Sequence, residues 1–230
     1  MLPESKTYEH YVAEFTTVGG QLPISRLTGK VAASTQSVRK FTPLVSVQSS
    51  VTVMTQSPNR PPKGYNCGIC GEYHSGLPLD IAFKAPFHWE QILESERSNR
   101  GELTPDFCRI DDRDFFVRGL IPIPILESDQ FFMWGVWTSL SHKNISRFIE
   151  LWHDVKIVDE PPYFGWLANK LPGYPNTLNI KTNVQSKNVK WRPYITLEPT
   201  DHPLALEQRN GITYARVQQI AALTAHPEKT

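Results

Sequence analysis

The stretch Phe115-Phe-Val-Arg-Gly-Leu-Ile-Pro-Ile-Pro-Ile125, followed by Phe131-Phe-Met-Trp-Gly-Val-Trp-Thr-Ser139, decides the fold class. In the first run Phe115, Val117, Ile121, Ile123 and Ile125 share one parity with Gly119, and Phe116, Arg118 and Leu120 share the other. A period of two belongs to a strand, whose side chains point alternately to its two faces. Glu127-Ser-Asp-Gln130 supplies turn residues between the runs, so together they read as a β-hairpin. Pro122 and Pro124 bring no N–H to a ladder, which places that end at a sheet edge or leaving the sheet.

Downstream, Ile145, Phe148, Ile149 and Trp152 recur at the spacing of one helix face, with Ser141 or Asn144 as cap. Asp159 to Pro175 is rich in turn residues and aromatics and reads as an ordered loop. Leu178, Ile180, Thr182 and Val184 then alternate with polar neighbours, and Val189, Trp191, Ile195 and Leu197 answer them, a second hairpin. Pro203 after His202 opens a helix that Gly211 stops, and Thr213 caps a last one with Val217, Ile220 and Ala221 facing inward. Upstream, Trp89, Ile92 and Leu93 mark a short helix over 88–100, and 103–108 reads as a turn leading to Cys108. The expectation is an α+β domain: an antiparallel sheet of about four strands in two hairpins, with helices packed on it and a zinc-knuckle-like turn at its start.

Residues 1–62 have a different composition. They carry six basic residues against three acidic, no tryptophan and no cysteine, and too few large apolar side chains to offset chain entropy. They read as a disordered or non-native extension, ending in the linker Asn59-Arg-Pro-Pro-Lys-Gly64, before a single domain over 63–230. A folded unit starting near Tyr65, with Met54 as an alternative start, follows from that shift. The formal net charge of +1 gives no overall pull toward nucleic acid or a membrane surface. No apolar run is long enough for a membrane helix, and no secretory signal precedes the domain. Three cysteines do not make a disulfide framework, so a reducing cytoplasm is the expected compartment.

Those cysteines carry the chemistry. Cys67-Gly-Ile-Cys70-Gly71 presents two thiols from one tight turn, His74 follows four residues on, and Cys108 is the remaining cysteine. Two thiolates at this spacing suit one tetrahedral zinc, and Cys67, Cys70, His74 and Cys108 would complete a closed, structural Cys3His set. Two other readings stand beside it: a redox pair, which wants its first cysteine at a helix start that Gly71-Glu-Tyr-His-Ser-Gly-Leu-Pro78 does not provide, and three buried thiols with a surface histidine.

Cys67-x-x-Cys-Gly-Glu-x-His74 with Gly76-Leu-Pro78, Leu103-x-x-Asp-x-Cys108, Phe116-Val-Arg-Gly119, Trp134-Gly-Val-Trp137, Gly165-Trp-Leu167 and His202-Pro-Leu204, occurring in that order, resemble the uncharacterised bacterial family called domain of unknown function 2199. The resemblance runs from about Tyr65 to the C-terminal helix. It implies a bacterial protein, and it implies nothing about a reaction. The family begins just before the cysteine pair, so residues 1–62 depart from it.

Arg118 sits mid-strand, where a charge needs a partner or an open face. With Trp134 and Trp137 it makes a candidate ligand surface, an aromatic-walled, cation-bearing pocket; the alternative is a structural arginine paired with a local aspartate such as Asp112 or Asp114. The end of the chain can be drawn as helix, glycine turn, helix with Arg216, Gln218 and Gln219 exposed, but no basic stripe accompanies it, so helices packed on a sheet explain it better than a DNA reader. Two functions follow. The first is a small cytoplasmic zinc-bearing binding or interaction module with a protein or small-molecule partner; the second is a metal-dependent or ligand-processing enzyme using a pocket near Arg118 and Trp134.

Overall fold

Asp114–Pro124 and Phe131–Leu140 pair antiparallel without interruption, from Phe115 opposite Leu140 to Pro124 opposite Phe131. In this computed structural model, which describes residues 61–227, they are the sixth and seventh of ten strands. The chain order is β1 (Gly64–Asn66), β2 (Tyr73–Ser75), β3 (Asp80–Ala82), α1 (Phe87–Glu90), α2 (Glu94–Arg100), β4 (Gly101–Leu103), β5 (Phe107–Ile110), β6 (Asp114–Pro124) and β7 (Phe131–Leu140). Then come α3 (His142–Glu150), a 3-10 helix (Val155–Val158), β8 (Tyr163–Leu167), β9 (Lys181–Gln185), β10 (Tyr194–Leu197), α4 (Pro203–Asn210) and α5 (Tyr214–Ala225). The expected extension over 1–62 lies, except for its last two residues, outside the described part.

The antiparallel sheet of about four strands in two hairpins expected from the sequence is not what forms. Strands β6, β7, β8, β9 and β10 close into a five-stranded barrel, with β3 added beside β7, β5 beside β6 and β4 beside β5 in one eight-stranded sheet. Four of the five barrel joints are antiparallel, and the fifth, β10 to β6, is parallel. A simple up-and-down path through an odd number of strands can close in no other way. Only Tyr194 opposite Leu120 is in register there, with the Leu120 N–H donating to Pro193 O at 2.9 Å. Gly119 permits this closure: a Cβ would lie 2.8 Å from both the Ile195 Cδ1 and the Pro193 carbonyl.

Parity sets the interior. Val117, Ile121 and Ile123 of β6, Phe132, Trp134 and Val136 of β7, Leu167 of β8, Val184 of β9 and Ile195 of β10 are all buried together. Thr138 and Thr182 face the same interior and satisfy one another through their hydroxyls at 2.6 Å, so neither is left unpaired in the apolar space. Ile145 and Phe148 of α3 and Val217 and Ile220 of α5 extend the same core. On the outer face of β6 and β7, Phe116 and Trp137 pack with Trp89, Ile92, Cys108 and Ile110 in a second cluster.

The prolines of β6 fall past its one register pair with β10, where the side away from β7 is a local edge of the sheet. Arg118 N–H donates to Asp106 O and Leu120 N–H to Pro193 O, both away from β7. Pro122 and Pro124 share that parity, so the donors they lack come from the side that β7 does not use. Pro124 still accepts there, from the Ile212 N–H at 2.8 Å.

Ser141, Thr213 and His202 cap α3, α5 and α4 with their side chains, and Gly211, at φ +83°, ends α4. The helix expected over 88–100 is two pieces, because Leu93 is extended at the start of α2. The loop expected over 159–175 contains β8.

Beyond its joint with β6, β10 leans on a side chain. The Gln208 amide of α4 donates to Ile195 O and accepts from Leu197 N–H, both at 2.8 Å, and stands in for a neighbouring strand. Because both bonds are only part-buried, so that water can replace some of what is lost, Gln208→Leu is expected to cost about 1–3 kcal/mol in all. Urea denaturation checks it; a midpoint equal to the parent's would show that the barrel does not need this substitute.

Candidate metal centre

The small hairpin of β1 and β2 pairs Tyr65 with His74 and Asn66 with Tyr73, which leaves residues 67–72 to turn. The Gly71 N–H donates to Cys67 O at 2.9 Å and the Cys67 N–H to Glu72 O at 2.8 Å, a closed loop that holds both cysteines on one side. Gly71 takes φ +79°, a left-handed conformation that a side chain would resist. The Cys70 Sγ lies 3.2 Å from the His74 Nε2, and the His74 ring stacks on Tyr65 with centroids 5.3 Å apart. Burial and the neighbouring Cys67 and Cys70 sulfurs push the Tyr65 phenol up from its ordinary range, so it stays neutral beside them.

The fourth corner comes from the far end of the domain. His226 caps α5, its N–H donating to Ala222 O at 3.2 Å, and its ring meets His74 edge-on with centroids 5.6 Å apart. Its Nε2 is buried and has no hydrogen-bond partner among the described residues. Ala221 and Ala222 pack against Tyr65 and Cys67, and their small side chains let the helix approach the hairpin closely. One ligand atom each from Cys67, Cys70, His74 and His226 all lie within 4.8 Å of one another. Tetrahedral zinc with bonds of about 2.0–2.3 Å spaces its ligands by roughly 3–4 Å, so the group is close to that geometry. Two thiols and two imidazoles, one of them with an orphaned buried ring nitrogen, fit such an ion.

Cys108 does not belong to this group. It sits on β5 opposite Phe116, 3% exposed, in the cluster that covers the outer face of β6 and β7. Burial pushes its thiol up to about 12, so it is protonated at neutral pH and is a packing residue. Among the described residues the group that could hold a metal is Cys67, Cys70, His74 and His226, without the Cys108 expected from the sequence.

Arg118, Trp134 and Trp137, expected as a ligand surface, are all buried and do not share one face. Arg118 is 7% exposed and both tryptophans are fully buried. Arg118 is directly opposite Trp137 on the outer face, its guanidinium 5.9 Å from the indole ring, whereas Trp134 points into the barrel. Beside Arg118, Arg192 Nε pairs with Asp106 Oδ1 at 2.7 Å, both side chains buried.

His226 is the residue that sequence reasoning missed. Its only local signal is position, a histidine one residue past an apolar helix, and nothing in its spacing ties it to Cys67.

A family model described as "Uncharacterized protein conserved in bacteria (DUF2199)" matches residues 66–212. The chain belongs to this family. No curated protein and no solved structure matches the chain. The DUF2199 match contains Cys67, Cys70 and His74 and the whole barrel, and it stops before α5. The fourth corner of the cluster in this DUF2199 protein thus lies beyond the matched residues. No helix among the described residues is long and apolar enough to cross a membrane.

Proposed function

We propose that this protein is a zinc-bearing binding module of a reducing compartment, the cytoplasm, in which Cys67, Cys70, His74 and His226 hold one structural zinc ion. The convergence of these four side chains from the two ends of the domain carries the reading. Thiolate and imidazole donors favour zinc over magnesium or calcium, which prefer oxygen. Four protein ligands fill a tetrahedral sphere and leave no position for a substrate or an activated water. The ion would supply cross-linking rather than Lewis-acid chemistry. β1 and β2 are three residues each, too short to hold a hairpin by themselves, so a metal tie there contributes directly to folding. The partner is a protein or a small molecule. The enzyme reading loses its support, because Arg118 and Trp134 are buried on opposite faces of the sheet.

Metal analysis of protein purified without chelators is expected to give one zinc per chain. Cys67→Ser and His226→Ala should each lose it, and Cys108→Ser should keep it. Cobalt substitution should give the intense visible bands of a tetrahedral thiolate site, unchanged by added azide. Zinc that disappears with Cys108→Ser, or cobalt bands that move with azide, would overturn the closed Cys2His2 site.

A further inference from the structure

The two cysteines of the turn are not equivalent. Cys67 is 2% exposed and packs against α5, while Cys70 is half-buried, with its sulfur 3.2 Å from the His74 ring. The third cysteine is in another cluster, with its thiol held protonated by burial. A half-buried sulfur, a sheltered one in the same turn and a third cysteine packed elsewhere make an arrangement suited to two-step oxidation. We infer that Cys70 and Cys67 form a peroxide-operated release, in which their oxidation to a disulfide discharges the zinc and unfastens α5 from the β1–β2 hairpin. This rests on the zinc reading proposed above.

The step balances. The Cys70 thiolate attacks one oxygen of hydrogen peroxide, the O–O bond breaks, and hydroxide leaves to become water with one proton from solvent. The Cys67 thiolate then attacks the Cys70 sulfenic sulfur, the S–O bond breaks, and a second proton from solvent makes a second water. Two thiolates are oxidised by two electrons, and one peroxide is reduced to two waters. The disulfide sulfurs are no longer thiolate donors, and His74 and His226 alone are too few to retain the ion. What then holds the last turn of α5 to the hairpin is Ala221 and Ala222 against Tyr65 and Cys67, with Ile69 and Leu77 partly buried beside them and the His74 and His226 rings edge-on, a modest apolar area. A thiolate cluster becomes a switch because its metal is what joins the two elements.

The test uses the full zinc-loaded chain, titrated with hydrogen peroxide in the presence of a chromogenic zinc chelator. The expected result is one zinc released per chain, loss of two hydrogens mapped by peptide mass to a Cys67–Cys70 disulfide, and faster amide exchange over 214–226, all reversed by a dithiol reductant and added zinc. Cys108→Ala should release zinc at the parent rate. If the reduced chain carries no zinc, both the zinc reading and this inference fall. If zinc is present but stays bound once the disulfide is mapped, or if Cys108 is oxidised first, only the switch is overturned. Exchange over 214–226 that is unchanged after zinc release overturns the unfastening.

Discussion

Asp106→Ala is expected to cost the fold about 3–5 kcal/mol, the usual loss when one member of a buried ion pair is removed. The position explains the size. β6 uses two successive partners on the side away from β7: β5 as far as Val117, then β10 at Leu120. Asp106 lies in the turn that leads into β5, and its carbonyl accepts the Arg118 N–H at 2.9 Å. Arg192 lies just before β10, and its guanidinium reaches across to the Asp106 carboxylate. The ion pair therefore pins the place where one neighbour leaves and the other arrives, beside the single register pair that closes the barrel. With alanine, the Arg192 cation stays buried without that carboxylate, and the carboxylate's offset to its desolvation is lost. Urea denaturation of Asp106→Ala, Arg192→Leu and the double variant checks this. The double variant should recover much of the loss, because an apolar pair of similar volume avoids the buried charge. A loss below about 1 kcal/mol for Asp106→Ala would place the pair in the class of solvated surface bridges.

The β6–β7 hairpin was legible because its information is local: one parity apolar, a polar turn, then a matching run. The barrel was not, for two reasons visible in particular residues. In β8 the inward set, Tyr163 and Leu167, is interleaved with Phe164 and Trp166, which are partly exposed outside. Both parities are then apolar, the period-two signal vanishes, and flanking prolines complete the disguise of a loop. The closing contact of β10 with β6 joins segments far apart in sequence through one pair of residues, and no pattern in either segment announces the other. The centre divides in the same way. Cys67, Cys70 and His74 meet because one hairpin carries them, whereas His226 arrives only through the packing of Ala221 and Ala222. The placement of Cys108 could have been read from parity, since it falls opposite Phe116 in an apolar cluster. So could the separation of Trp134 from Trp137, because three positions along a strand reverse the face.

Asn169→Ala is expected to be as damaging as the loss of Asp106, through orphaned backbone groups and without any charge. Asn169 is 1% exposed and follows β8 by two residues. Its Oδ1 accepts the Trp137 N–H at 2.7 Å, and its Nδ2 donates to the Ala85 carbonyl at 2.9 Å. Its own carbonyl accepts from the buried Thr177 hydroxyl at 2.7 Å, which in turn accepts the Leu171 N–H. One amide thus ties β7, the segment between β3 and α1, and the loop after β8 behind the Trp137 face. Alanine removes the partner of two buried backbone groups and supplies no water path to replace it. At about 1–3 kcal/mol for each group left unsatisfied, the sum is roughly 2–6 kcal/mol. For a domain of this size that is a fall in melting temperature on the order of 10 °C. Asn169→Asp separates shape from hydrogen bonding: it keeps an acceptor for Trp137 but loses the donor to Ala85 and buries a carboxylate, so it should be no milder than alanine. Thermal unfolding followed by tryptophan fluorescence reads both variants, since Trp137 sits in the affected layer. A melting temperature within about 2 °C of the parent for Asn169→Ala would mean that the two backbone groups find other partners, and that the amide is not the tie between these three segments.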